Sequence, residues 1–203
     1  MRLELESKKS ATEPKSKQNP FVHHSEPDQV GVALVGLGDF SLATILPVFE
    51  WCENARLSAL VSGNQEKALK IAREHDIPRH SIYSFQDFDR IKNNREVQIV
   101  YISLRGPLRD QMILRAARAG KHIICEGRFS GDAKIDQQIA QACDEAGVKL
   151  LMTYRKPGVG DGLTVLKLEH MANCVLRNRT PLRLSEVLRG AEAIRVDVSR
   201  WAN

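Results

Sequence analysis

Between Val30 and Tyr154 the chain repeats one pattern: a short apolar run, a polar or glycine-bearing break, and then an amphipathic stretch. VGVALV, RLSALV, VQIVYIS, HIICE and VKLLMTY are rich in Val, Ile and Leu, and they lack the regular alternation of a sheet with one wet face. Runs of this kind are strands covered on both sides. The stretches between them are long enough to be helical crossovers, which join parallel strands. The pattern therefore predicts an α/β domain built on an open, doubly wound parallel sheet over about residues 30–154.

The intervening segments carry helix signals. FSLATILPVFEWC reads as a helix with Phe40, Ile45 and Phe49 available for packing, bent at Pro47, which has no N–H to donate. NQEKALKIAREHD has Asn64 as N-cap and Ala68, Ile71 and Ala72 on one face. IPRHSIYS holds a turn and a short third strand, and QDFDRIKNNREV a helical or looped link. RDQMILRAARAGKH is a helix stopped at Gly120. DAKIDQQIAQACDEAG places Ile135, Ile139, Ala142, Cys143 and Ala146 at helical spacing before Gly147.

The flanks differ. Residues 1–29 are dominated by Lys, Ser, Glu, Gln and Pro and read as a flexible tail. Beyond the Pro/Gly-rich YRKPGVGDGLT, LTVLKLEHMANCVLRN reads as a helix with Leu163, Leu166, His170 and Cys174 near one face, and AIRVDVS reads as a strand. One helix and one strand cannot bury their apolar faces alone. They pack on the first domain or open a second one.

Composition narrows the function classes. The formal charge is +5 and aromatics are 5% of the chain, with no interleaving of aromatic and basic residues, so a nucleic-acid partner is not expected. No apolar run reaches the length of a membrane span. Cys52, Cys125, Cys143 and Cys174 lie far apart, without zinc-site spacing, so buried free thiols and no metal site are expected. The polar start shows no ordinary export signal, which points to the cytoplasm.

The chemistry-bearing motif follows the first strand. In GLGDFS, Gly36 permits a tight turn and Gly38 permits close approach of a pyrophosphate to the backbone. The small Ser41 stands where helix and strand must pack closely. Between a strand and a helix, this is the nucleotide-facing turn of a Rossmann-like NAD(P)-binding domain, with Gly36, Leu37, Gly38, Asp39 and Phe40 as cofactor contacts. At the end of the second strand an NAD site commonly has a carboxylate for the ribose. This chain has Ser62, Gly63 and Asn64, with Lys67 one turn on, so NADP is favoured and NAD is the alternative.

The stretch VALVGLGDFSLATILPVFEWCENARLSALVSGNQEKALKIA, the YISL strand end, ILRAARAGKHIICE and AGVKLLMTYR together resemble the Gfo/Idh/MocA-type family of glucose–fructose oxidoreductases, inositol dehydrogenases and related sugar dehydrogenases, the glucose–fructose oxidoreductase branch in particular. The resemblance covers roughly residues 30–155 and implies a dinucleotide domain there. It also implies that residues 156–203 begin a substrate domain, incomplete or remodelled in this chain. It implies a sugar or polyol substrate, hydride transfer, and assembly into dimers or tetramers. Ser62 and Lys67 match positions used in the branch for the adenosine phosphate. Ser103, Leu104 and Glu126 fall at strand ends facing the cofactor, and Tyr154 and Arg155 match a YR pair on the substrate side.

Two stretches depart from the family pattern. Where the family carries Lys-Pro after IICE, with the lysine near the substrate hydroxyl, this chain has Gly127 and Arg128. Where the family has Pro-Asn and then a histidine after the YIS strand, this chain has Arg105, Gly106 and Arg109. Gly127 has no side chain to donate a hydrogen bond. Arg128 is a substrate-side candidate of different donor geometry, and Tyr154 is the remaining candidate for a catalytic group. Two readings stay open: an NADP-linked oxidoreductase, or a noncatalytic NADP-binding or interaction module.

Overall fold

The computed structural model describes residues 29–128, 130–153 and 162–177, with side chains described from residue 167 onward in the last segment. Six strands form one sheet: β1 (Val30–Val35), β2 (Ala55–Val61), β3 (Ile82–Tyr83), β4 (Ile99–Ile102), β5 (His122–Glu126) and β6 (Leu150–Thr153). Their order is β3-β2-β1-β4-β5-β6, and every pair is parallel. This is the doubly wound order, with the topological switch between β1 and β4. All residues of β1 and β4 are buried, as the apolar runs require.

Four α-helices, α1 (Gln65–Glu74), α2 (Gly106–Arg118), α3 (Ala133–Ala146) and α4 (Gly162–Leu176), and a helical stretch after β1 cover the sheet. One core face joins Val32, Leu34 and Leu60 to Ile45, Phe49, Ile71 and Met171. The other joins Val35, Val61 and Val100 to Phe88, Met112, Ile113 and Ile139. Each such aliphatic side chain contributes about 1.5–3 kcal/mol on full burial.

Local chemistry sets the helix ends. The Asn64 side chain accepts the Lys67 N–H at 2.9 Å, and the Asp132 side chain accepts from Lys134 and Ile135, so each caps its helix. The stretch after β1 is not a simple bent α-helix. It runs as a π-helix over Ser41–Ile45 and tightens to a 3₁₀-helix over Leu46–Glu50. Pro47 cannot donate back along an α-helical ladder, and the turn before it widens while the turn after it tightens. Helix α2 starts at Gly106 rather than Arg109, because Pro107 in its first turn has its φ fixed for a helix.

Helix α4 lies against the first sheet face. Its buried side is Lys167, Leu168, Met171, Ala172 and Cys174, with His170 only half-buried. A lysine thus stands on the buried side of the helix, where the expected face named Leu163, Leu166, His170 and Cys174. All four cysteines are buried thiols. The strand expected at AIRVDVS and the tail before residue 29 lie outside the described residues.

Candidate functional site

The C-terminal ends of β1, β2, β4 and β5 open onto one cavity of about 750 Å³. That is the size of a site for a substantial organic ligand, and it sits at the switch point where doubly wound sheets bind their ligands. Backbone bonds beyond the strand ends pin its floor: Gly36 N–H donates to the Val61 carbonyl, Ser103 N–H to the Val35 carbonyl and Ser62 N–H to the Tyr83 carbonyl, at 2.9–3.0 Å.

The glycine turn forms the middle of the cleft. Gly36 has φ +91°, and a Cβ there would lie 2.6 Å from the Ser103 carbonyl oxygen. Only glycine fits. Gly38 differs, because a Cβ built on it meets no atom within 4 Å. The space above it is open to a ligand. Ser41 Oγ is buried and meets no hydrogen-bond partner among the described residues. An open approach to the backbone beside an unsatisfied buried hydroxyl fits a phosphate-bearing ligand.

At the β2 end, Ser62, Gly63 and Phe85 line the cleft, and no carboxylate stands among them. Ser62 Oγ accepts the Asn64 N–H at 3.1 Å, which leaves its proton available for donation. Lys67 sits on the first turn of α1, outside the cavity lining.

At the β5 end, Glu126 reaches the cavity while its Oε1 accepts the Tyr101 hydroxyl at 2.5 Å and faces Lys167 Nζ at 3.4 Å. Burial pushes the adjacent Cys125 thiol up to about 12, so it stays protonated and is no nucleophile. Arg109 lines the same end but is committed. Its Nε and Nη2 donate to Asp110 Oδ1, and its Nη1 donates to the Arg128 carbonyl at 2.7 Å. The guanidinium therefore holds the Gly127–Arg128 backbone against α2. Gly127 has φ +110°, a conformation that side-chain-bearing residues rarely adopt.

The structure thus brings together Gly36, Leu37, Gly38, Asp39, Phe40, Ser62, Ser103, Leu104 and Glu126 around one cavity. It leaves Lys67 and Arg128 off the lining. Tyr154 and Arg155 lie outside the described residues. Two residues that sequence reasoning missed are Phe85, which stands beside Gly63, and Lys167. Phe85 follows a two-residue strand whose position left little signal, whereas a lysine in an apolar helix stripe was a visible anomaly. Among the described residues no group of His, Cys, Asp and Glu is disposed to hold a metal ion, and no helix is long and apolar enough to cross a membrane.

Residues 30–154 match the sequence profile of the Gfo/Idh/MocA oxidoreductase family, NAD-binding Rossmann fold. The chain belongs to this family. Among Gfo/Idh/MocA relatives, the D-xylose 1-dehydrogenase [NADP(+)] of Haloarcula marismortui is 25% identical over 126 residues, 62% of this chain and 35% of that enzyme. The dTDP-3,4-didehydro-2,6-dideoxy-alpha-D-glucose 3-reductase of Streptomyces violaceoruber is 29% identical over the same length, again 62% and 35% of the two chains. The crystal structure of an aldose-aldose oxidoreductase from Caulobacter crescentus, complexed with glycerol, superposes with a TM-score of 0.59 at 40% identity. That match covers 61% of this chain and 37% of the other. The chain spans about a third of the length of the curated relatives it matches.

Proposed function

We propose that this chain provides the dinucleotide-binding part of a sugar or polyol oxidoreductase and that its dinucleotide is NADP. The observation that carries the reading is the cleft itself. It joins an open glycine turn at Gly36–Ser41 to a β2 end that offers Ser62 and Gly63 and no carboxylate. In this reading the turn backbone and Ser41 hold the diphosphate, Ser62 with Lys67 receives the adenosine phosphate, and Ser103, Leu104 and Glu126 border the nicotinamide. When bound, that ring supplies the hydride acceptor or donor. The protein's own task is to bind, orient and exclude water. The NADP named for the Haloarcula enzyme agrees with this choice.

Calorimetric titration with NADP and NAD tests the assignment. NADP is expected to bind at least about tenfold more tightly, since one charge-assisted phosphate contact is worth roughly 1.5–3 kcal/mol. Ser62→Asp should erase that preference by placing a carboxylate against the phosphate. Equal affinities in the wild-type protein would reject it.

A second reading, binding without turnover, is favoured by Gly127 and Arg109. The first lacks a side chain at the position where the resemblance places a lysine, and the second spends its donors on Asp110 and Arg128. Firm NADP binding with no change in nicotinamide absorbance across a panel of aldoses and polyols would support it.

A further inference from the structure

Lys167 is 2% exposed, yet it is a lysine on a helix face otherwise made of Leu168, Met171, Ala172 and Cys174. Helix α4 carries it across the sheet so that its ammonium faces Glu126 Oε1 at 3.4 Å, the oxygen that also accepts from Tyr101. Burying an ammonium is costly unless a carboxylate stands beside it. Glu126 supplies that charge, and Glu126 is also a wall of the cleft, which Lys167 is not. The pair is therefore oriented, with its negative end toward the cavity and its positive end in the protein.

The other charged groups among the described residues around Glu126 do not replace Lys167. Arg109 on α2 is tied to Asp110, Arg105 is exposed at the mouth, Asp39 stands on the glycine turn, and Thr153, the β6 neighbour in register, is neutral. Tyr101 donates a hydrogen bond but carries no charge when it does so.

We propose that Lys167 is a positioning residue for the dinucleotide: it holds the Glu126 carboxylate aimed at the nicotinamide end of the cleft, where it favours the oxidised, cationic ring over the reduced, neutral one. This rests on the dinucleotide reading above and assigns a redox-state preference to it. Without Lys167, Glu126 loses the cation that faces it among the described residues, and its carboxylate is no longer held in one direction from that side. Its influence on the ring then weakens.

The test is the ratio of NADPH to NADP dissociation constants, measured by calorimetry at one pH on the wild-type chain and on variants. The adenosine phosphate contributes alike in both ligands, so the ratio cancels it. The wild type should show a ratio favouring the oxidised form. Lys167→Met should lower that ratio at least about threefold, the scale expected for one charge acting across a partly screened site. Lys167→Arg should restore the wild-type ratio, and Glu126→Gln should lose the preference. A wild-type ratio in Lys167→Met overturns the proposal. Should that variant fail to fold, an unchanged ratio in Glu126→Gln overturns it equally. If the wild type binds neither ligand, the dinucleotide reading itself has failed.

Discussion

Gly36 and Ser103 stand so close that a single added carbon on the first would meet the carbonyl oxygen of the second at 2.6 Å. The two residues lie at the ends of β1 and β4, the strands that part at the switch point, so this approach sets the depth of the cleft. Gly36→Ala combines a strained positive φ with a backbone clash and should cost roughly 2–4 kcal/mol. Gly38→Ala meets no protein atom and should change stability by less than about 0.5 kcal/mol. Thermal unfolding of the two variants separates a glycine required by the fold from one that leaves room for a ligand. Equal losses would contradict that division.

Arg109 and Asp110 form an ion pair with side chains only 11% and 10% exposed. Arg109→Ala leaves a nearly buried carboxylate alone and releases the Arg128 carbonyl, so a loss of about 2–4 kcal/mol is expected. Adding Asp110→Asn should recover part of it. Urea unfolding of the single and double variants provides the cycle, and strict additivity would show that the pair carries no coupling.

Gly127 is where the resemblance places a lysine, and restoring that residue is the obvious route to activity. Its φ of +110° argues against success. Gly127→Lys should lower stability by about 1–2 kcal/mol, the penalty for forcing a side chain into a left-handed conformation, and should not create turnover with sugars and NADP. A variant as stable as the wild type and active would show that the loop relaxes freely.

His122 Nδ1 accepts the Lys149 N–H at 3.0 Å, and burial, aided by the Lys149 charge, holds its pKa below the usual imidazole range. The unfolded chain therefore binds this proton first, near pH ~6.5. Above that pH the group contributes nothing to the pH dependence. As pH falls from ~6.5 through the folded value, unfolding takes up a proton and stability drops. Burial lowers His170 in the same direction. His122→Asn should flatten the fall in melting temperature between about pH 7 and about pH 5.5 without abolishing it. Parallel curves would remove His122 from the acid sensitivity.

The sheet was legible because parallel strands buried on both faces need continuous apolar runs, and HIICE marks its strand to the residue. Asn64 and Gly147 were legible because capping is local chemistry. The π-to-3₁₀ path around Pro47 was not, since it depends on how the ladder relaxes on both sides of a missing donor. The glycine turn and the Ser62 end could be read from spacing alone. Arg109, Phe85 and Lys167 could not, because their contacts join residues 19, 22 and 41 positions apart. Arg109 stood in the sequence only as a departure from the family pattern and is a loop clamp in the fold. Lys167 is the buried partner of a cleft carboxylate, a contact the sequence alone does not show.

The central claim is that the open turn around Gly38 receives the diphosphate of NADP. Calorimetric titration of the wild type and Gly38→Ala with NADP tests it most directly. Saturable one-to-one binding that weakens at least about tenfold in a variant of unchanged melting temperature is the predicted result. Absent binding by a folded wild type, or equal affinity in the two proteins, would contradict it.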